Sequence, residues 1–193
     1  MMLSRKHIIS LINENEIVEK NGIKIQEISF LNKINLRINP NNNLHMSTCV
    51  KILDVILPIK PNTYSQNEKI KTMWLSPDEW LIVHNLKENI FVRLKNEIGD
   101  IDASVTDITE SKTFIRISGE KIFTLLSKFL VLNLEKNLSN ENSCAQTLFV
   151  KVPILLVRNH KYKQIPEIDI LANNSHADYI FKLILDGAKN LDF

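Results

Sequence analysis

Chemistry in a protein of this size has to come from a small set of side chains, and here that set is scattered. The five histidines are His7, His45, His84, His160 and His176. None stands at the i, i+4 spacing that brings two imidazoles onto one metal from a helix face, so each is read as solvated or hydrogen-bonded. Cys49 and Cys144 lie far apart, with no Cys-x-x-Cys or metal-ligand spacing around them. They read as reduced, buried thiols. Asp78 and Glu79 are adjacent acids that could suggest proton transfer. Neighbouring side chains usually point apart, and these sit in the turn Ser76-Pro77-Asp78-Glu79, where Pro and Asp have structural uses.

Trp74 and Trp80 flank that turn and can meet across a hairpin. Core packing is the first reading for them and a partner interface the second, since Trp is enriched at binding hot spots. Arg37 and Arg116 occupy matching places in two similar strands and alternate outward, which suits solvent, a surface ion pair, or an anion or partner contact. Trp74, Trp80, Arg37 and Arg116 are therefore the candidate interface residues; no catalytic, cofactor-binding or metal-binding residue is nominated. Glycine is scarce, 4 in 193 residues. No phosphate loop, Gly-x-Gly-x-x-Gly or Gly-x-Ser-x-Gly occurs. A dinucleotide pyrophosphate needs glycine for close backbone approach, so a Rossmann site for FAD or NAD is not expected.

The elements carrying these residues can be read from periodicity. The first twenty residues read as a frayed or weakly helical lead-in, with no signal peptide. Ile23–Ile28 and Ile34–Ile38 alternate as strands, with Ile34, Leu36 and Ile38 on one face. Helical spacing runs from Leu44 to Leu57 and Pro58 ends it. Residues 61–69 read as a polar loop. Thr72–Leu75 and Trp80–Val83 are the arms of the hairpin, and 86–98 is an amphipathic helix. Val105–Ile108 and Thr113–Ile117 are strands, Ser118 caps a helix, and 133–143 is a polar loop. Ala145–Val150, Ile154–Val157 and Ile165–Leu171 are strands. Asn174 or Ser175 caps a last helix through Ile180, Phe181 and Ile184.

Lys33–Asn39 resembles Lys112–Ser118, and each precedes a helix. The chain thus reads as one α+β domain over 1–193, mostly antiparallel short strands with packed helices. It contains two related ββαββα-like halves at about 22–98 and 103–189. A net charge of +2 does not point to nucleic acid. No apolar run reaches the ~18 residues of a membrane span. A cytoplasmic, soluble protein is expected.

Several motifs resemble one family. Trp74-Leu75-Ser76-Pro77-Asp78-Glu79-Trp80-Leu81 is similar to the Trp-Leu-Gly-Pro-Asp-Glu-Trp-Leu segment of the gamma subunit of heterotetrameric sarcosine oxidase. Val105–Thr109, Ile115–Gly119, Cys144–Thr147 and the pair Leu57-Pro58 with Pro61-Asn62 resemble further segments in the same order. The resemblance spans roughly 34–189, with Ser76 where the family usually has Gly. It implies a fold similar to the folate-binding domain of the aminomethyltransferases, the glycine-cleavage T-protein superfamily. It also implies alpha, beta and delta partner subunits that carry FAD, FMN, NAD and tetrahydrofolate, with no cofactor on this chain. The implied complex demethylates sarcosine oxidatively to glycine, with hydrogen peroxide and formaldehyde or methylenetetrahydrofolate as co-products. Catalytic members of that superfamily carry an Asp pair before an apolar strand ending in Arg. The comparable strand here is Ile154–Arg158, and Val152-Pro153 stand at the Asp pair. The implied role is a structural or assembly subunit, itself without an active site. A stand-alone folate-binding protein of the same superfamily is the alternative.

Overall fold

A computed structural model of the chain describes residues 17–28, 30–99 and 101–191. The lead-in up to residue 16 lies outside the described residues. Residues 17–20, expected within that lead-in, form strand β1 (Ile17–Lys20), which pairs antiparallel with β2 (Ile23–Ile28) across the turn Asn21-Gly22. The chain then builds two compact units. Among described residues one unit holds 30–99, 101–110 and 142–144; the other holds 17–28, 111–141 and 145–191.

The first of these units is a sheet with two helices. Its strands are β3 (Asn32–Ile38), β4 (Tyr64–Gln66), β5 (Ile70–Ser76), β6 (Glu79–His84) and β7 (Ala103–Asp107); its helices are α1 (Asn43–Leu53) and α2 (Ile90–Ile98). Strand order is β4-β5-β6-β3-β7, antiparallel throughout. The alternation of β3 drives the packing: Ile34, Leu36 and Ile38 are buried and Arg37 points to solvent. They share a core with Cys49 and Leu53 of α1, Trp80 and Ile82 of β6, and Leu94 of α2. Asn42 caps α1, its Oδ1 accepting from the main-chain N–H groups of Leu44 and His45. The helix stops at Leu53, before Pro58, because Asp54 takes a left-handed conformation (φ 53°) and its N–H closes on the Val50 carbonyl. Ile56 is accordingly left exposed. The interval read as a loop contains β4. Helix α2 begins at Ile90, later than expected, because Asn89 caps it through Val92 N–H.

The other unit continues from β1 and β2 with β8 (Lys112–Ser118), β9 (Cys144–Phe149), β10 (Val152–Arg158) and β11 (Glu167–Asn173). Its helices are α3 (Ile122–Ser127), α4 (Leu134–Asn137) and α5 (Ala177–Lys189). Strand order is β1-β2-β8-β11-β10-β9. Ile115, Ile117, Leu156, Ile168 and Ile170 form the sheet side of its core, with Leu125, Ile180, Phe181 and Ile184 from the helices.

Three expectations for this unit are corrected. Ser118 does not cap a helix; it ends β8, paired with both Lys24 and Glu167. Gly119 follows at φ 144°, where an added Cβ would run into the Gly22 carbonyl oxygen, and α3 begins only at Ile122 with no side-chain cap. The loop 133–143 holds α4, capped by Asn133. Neither Asn174 nor Ser175 caps α5: both lie in a 3-10 turn (Asn174–His176), and His176 stands at the cap position without a capping bond.

The two sheets share one connectivity. A strand, a helical segment, a three-strand antiparallel meander and a closing helix occur as β3-α1-β4-β5-β6-α2 and as β8-α3-α4-β9-β10-β11-α5. The meander's last strand lies beside the first strand in each, giving β4-β5-β6-β3 and β9-β10-β11-β8. The next strand over is β7 beside β3 and β2 beside β8. The stretches 22–98 and 103–189 therefore each lend their leading strand to the sheet of the other.

Candidate functional site

The hairpin β5–β6 places Trp74 directly opposite Trp80, with an irregularity between Trp74 and Ser76. The two indoles have different surroundings. Trp80 is fully buried and its Nε1 donates to the Pro58 carbonyl at 2.8 Å. A ring with no exposed surface cannot meet a partner, so Trp80 is withdrawn as an interface residue and assigned to the core. Its indole N–H also holds the Leu57-Pro58 segment against the sheet. Trp74 is half-buried.

Arg37 is exposed and lies opposite Glu79, with its guanidinium 3.5 Å from Glu79 Oε2. Asn35 Nδ2 donates to Glu79 Oε1 at 2.7 Å. Asp78 accepts a 2.6 Å bond from Ser76 Oγ, which holds its carboxyl below the ordinary 3.8. Ser76, standing where the resembled family has Gly, thus fastens the turn through its hydroxyl. An open groove of about 440 Å³ runs along Arg37, Asn39, Asp78, Asp102 and Ser104.

Arg116 belongs to the other unit. Its Nε and NH2 donate to the two carboxylate oxygens of the buried Asp169, at 2.7 and 2.9 Å, and Glu167 lies at 3.4 Å. The hydrogen bond to Asp169 raises its pKa above the usual guanidinium value, against the opposing effect of burial. Arg116 is committed to its own sheet. The structure therefore gathers Arg37, Trp74 and Trp80 on one antiparallel sheet, while Arg116 lies on a separate one.

A polar cavity of about 200 Å³ was not legible in sequence. It is lined by Asn32, His84, Asn89, Asp107 and Thr109, with Ile34 and Phe91 among its apolar walls. Strand register assembles it: β3 sets Asn32 opposite His84 on one side and Ile34 opposite Asp107 on the other. His84 is buried, and its Nδ1 has no hydrogen-bond partner. Burial lowers its pKa from 6.5, partly countered by Asp107 and Glu88. Most of the surrounding polar atoms serve the fold. Asp107 accepts from Thr109 N–H, Thr109 Oγ1 accepts from Lys33 N–H, and Asn89 caps α2.

Both cysteines are free and buried, and burial pushes each thiol up to about 12. Such sulfurs stay protonated near neutral pH and are poor nucleophiles. No three metal-ligating side chains gather among the described residues, and no helix among them is long and apolar enough to cross a membrane. At the start of β10, Val152 is buried and Pro153 exposed. At its end Arg158 is buried and donates to the carbonyls of Leu138, Ser139 and His160.

Comparison with known proteins places this arrangement. The chain is 20% identical over 153 residues to the sarcosine oxidase subunit gamma of Corynebacterium sp. strain U-96, covering 79% of this chain and 74% of the relative. It is 22% identical over 137 residues to that of strain P-1, covering 70% and 67%. Among solved structures, a chain of the heterotetrameric sarcosine oxidase from Corynebacterium sp. U-96 superposes with a TM-score of 0.82 at 18% identity. The match spans 97% of this chain and 94% of that one. The glycine cleavage system aminomethyltransferase T of Bartonella henselae gives 0.60 at 13% identity, over 86% of this chain and 46% of that one. The expected likeness to the aminomethyltransferase fold is thus observed. The profile of the sarcosine oxidase, gamma subunit family matches residues 41–190, and the chain belongs to that family.

Proposed function

We propose that this chain is the gamma subunit of a heterotetrameric sarcosine oxidase and contributes binding surface, not chemistry, beside alpha, beta and delta subunits. The complex converts sarcosine, oxygen and water to glycine, formaldehyde and hydrogen peroxide, or passes the one-carbon unit to tetrahydrofolate. FAD, FMN, NAD and tetrahydrofolate sit on the other subunits. The observation that carries this reading is family membership over residues 41–190, joined to a fold likeness running through nearly the whole chain.

Local chemistry supports the non-catalytic part. Val152 and Pro153, at the place of the superfamily's Asp pair, can neither accept a proton nor orient a folate nitrogen. The buried thiols are held protonated, and the bidentate acid Asp169 is neutralised by Arg116. The turn from β3 to α1, Asn39-Pro40-Asn41-Asn42, has no glycine to admit a pyrophosphate, and Asn42 already occupies the α1 N-terminus.

Tagging this chain in its native host, then identifying co-purifying chains, tests the reading. Three different partners, flavin absorbance and sarcosine-dependent peroxide are expected in the assembly, and a colourless isolated chain. A chain that purifies alone and binds one equivalent of reduced folate would replace this reading with the folate-binding one.

A further inference from the structure

Corresponding hairpins in the two units are closed very differently. In the first, β5 and β6 are joined by Pro77 and Asp78 alone. In the second, the corresponding strands β10 and β11 are joined by residues 159–166. A two-residue turn suffices for antiparallel neighbours, so the added length is not required by the sheet. Loops carried on a rigid scaffold in excess of the connection they make are where binding residues concentrate.

This loop is also held firmly at its base. Arg158 ties the strand end to the Leu138 and Ser139 carbonyls at 2.8 and 2.7 Å, and to the His160 carbonyl at 3.1 Å. His160 Nδ1 accepts from Glu167 N–H at 3.0 Å, and Asn159 N–H donates to the Glu167 carbonyl at 3.0 Å. Glu141 accepts from the main-chain N–H of Tyr162 at 2.9 Å, and Gln164 Oε1 from that of Lys161 at 3.1 Å. On that fixed base the outward side chains are apolar and basic. Tyr162 is 76% and Ile165 61% exposed, and Lys161 and Lys163 are exposed on either side of the tyrosine. The Lys163 ammonium lies 5.7 Å from the Tyr162 ring centre.

We infer that the β10–β11 loop is a docking element, with Tyr162 and Ile165 as anchors and Lys161 and Lys163 as its charged rim. Its occupant is an apolar notch edged by carboxylates on another subunit of the complex. An aromatic anchor on a preorganised loop loses little conformational entropy on binding. Cations beside it select an acidic surface and speed encounter. The inference rests on the reading of this chain as an assembly subunit and adds the surface that does the assembling.

The test uses the full chain added back to the other subunits co-expressed without it. Tyr162→Ala should weaken binding about 30-fold, the hot-spot range, with unchanged melting because the ring is exposed. Lys161→Glu with Lys163→Glu should slow association about tenfold at low salt and flatten its salt dependence. If the unaltered chain assembles and both variants assemble equally well, the loop assignment falls while the subunit reading stands. If the unaltered chain fails to assemble, both fall. Self-association of the isolated chain that Tyr162→Ala abolishes would overturn the inference in favour of a second copy.

Discussion

Arg116 and Asp169 face each other across the β8–β11 pairing and form a two-pronged ion pair at 2.7 and 2.9 Å. Arg37 and Glu79 hold the corresponding stations across β3 and β6, yet their contact is a single, looser 3.5 Å approach in solvent. The same strand position thus carries a more buried pair in one unit and a more exposed pair in the other. Water decides their worth. Asp169→Ala leaves the half-buried guanidinium with only the looser Glu167 contact at 3.4 Å and should cost about 2–4 kcal/mol, near the lower range for broken buried pairs. Arg37→Ala should cost about 0–1 kcal/mol. Urea unfolding of the two variants checks this, and equal losses would refute the distinction by burial.

Trp80 offers the largest single core deletion. Trp80→Ala should cost about 3–5 kcal/mol, by emptying an aromatic site and leaving the Pro58 carbonyl without its indole donor. Trp80→Phe keeps much of the volume and should fall between that variant and the wild type. Chemical denaturation of the lone chain reads both. A Trp80→Ala chain that melts normally would mean the ring is not packed as described.

The contrast between Trp74 and Trp80 shows what sequence could and could not say. The two tryptophans and Pro77-Asp78 declared a hairpin, and Ile34, Leu36 and Ile38 declared the buried face of β3. Alternation failed on β6, because Trp80, Leu81, Ile82 and Val83 are all buried. A strand covered on both faces loses its period-two signal, so an interface role for Trp80 could not be excluded by pattern. The pairings of β2 with β8 and β7 with β3 join residues 65 to 94 positions apart and leave no local trace. Ser118 looked like a cap because Gly119 hid a conformational break that only its φ of 144° reveals. The cavity at His84 was invisible for the same reason as the long-range pairings: Asn32, His84 and Asp107 meet only through register. Tyr162 did leave a signal, a lone aromatic between two lysines in a polar interval.

His84 gives the chain an acid sensitivity with a defined sign. Burial lowers its folded pKa below 6.5, so the unfolded state binds the proton more readily. The stability linked to neutral His84 is complete above pH 6.5 and is lost as pH falls through the folded value. Asp107 and Glu88 oppose the shift and Lys87 also borders the cavity. His84→Leu should therefore show a shallower acid limb in stability against pH. An imidazole proton resonance titrating at or above 6.5 in the native chain would contradict the assignment.

The cysteines give the alkaline counterpart. Burial raises Cys49 and Cys144 from 9.0 to about 12, so the folded state resists losing these protons while the unfolded state does not. The stability tied to the protonated thiols is fully present below about pH 9 and declines as pH rises towards 12. Reactivity follows from the same burial, because only an exposed thiolate attacks a disulfide reagent. At pH 8 the native chain should release almost no colour from an aromatic disulfide reagent over minutes, and two equivalents at once in denaturant. Cys49→Ser should lower stability by about 1–3 kcal/mol, since the hydroxyl would be desolvated in an apolar core. Cys144→Ser should cost less, because the thiol already lies 3.4 Å from the Thr63 carbonyl, an acceptor that the hydroxyl can use. Rapid labelling of either thiol in the folded chain would show that its site opens, and the ordering of the two serine variants would then lose its basis.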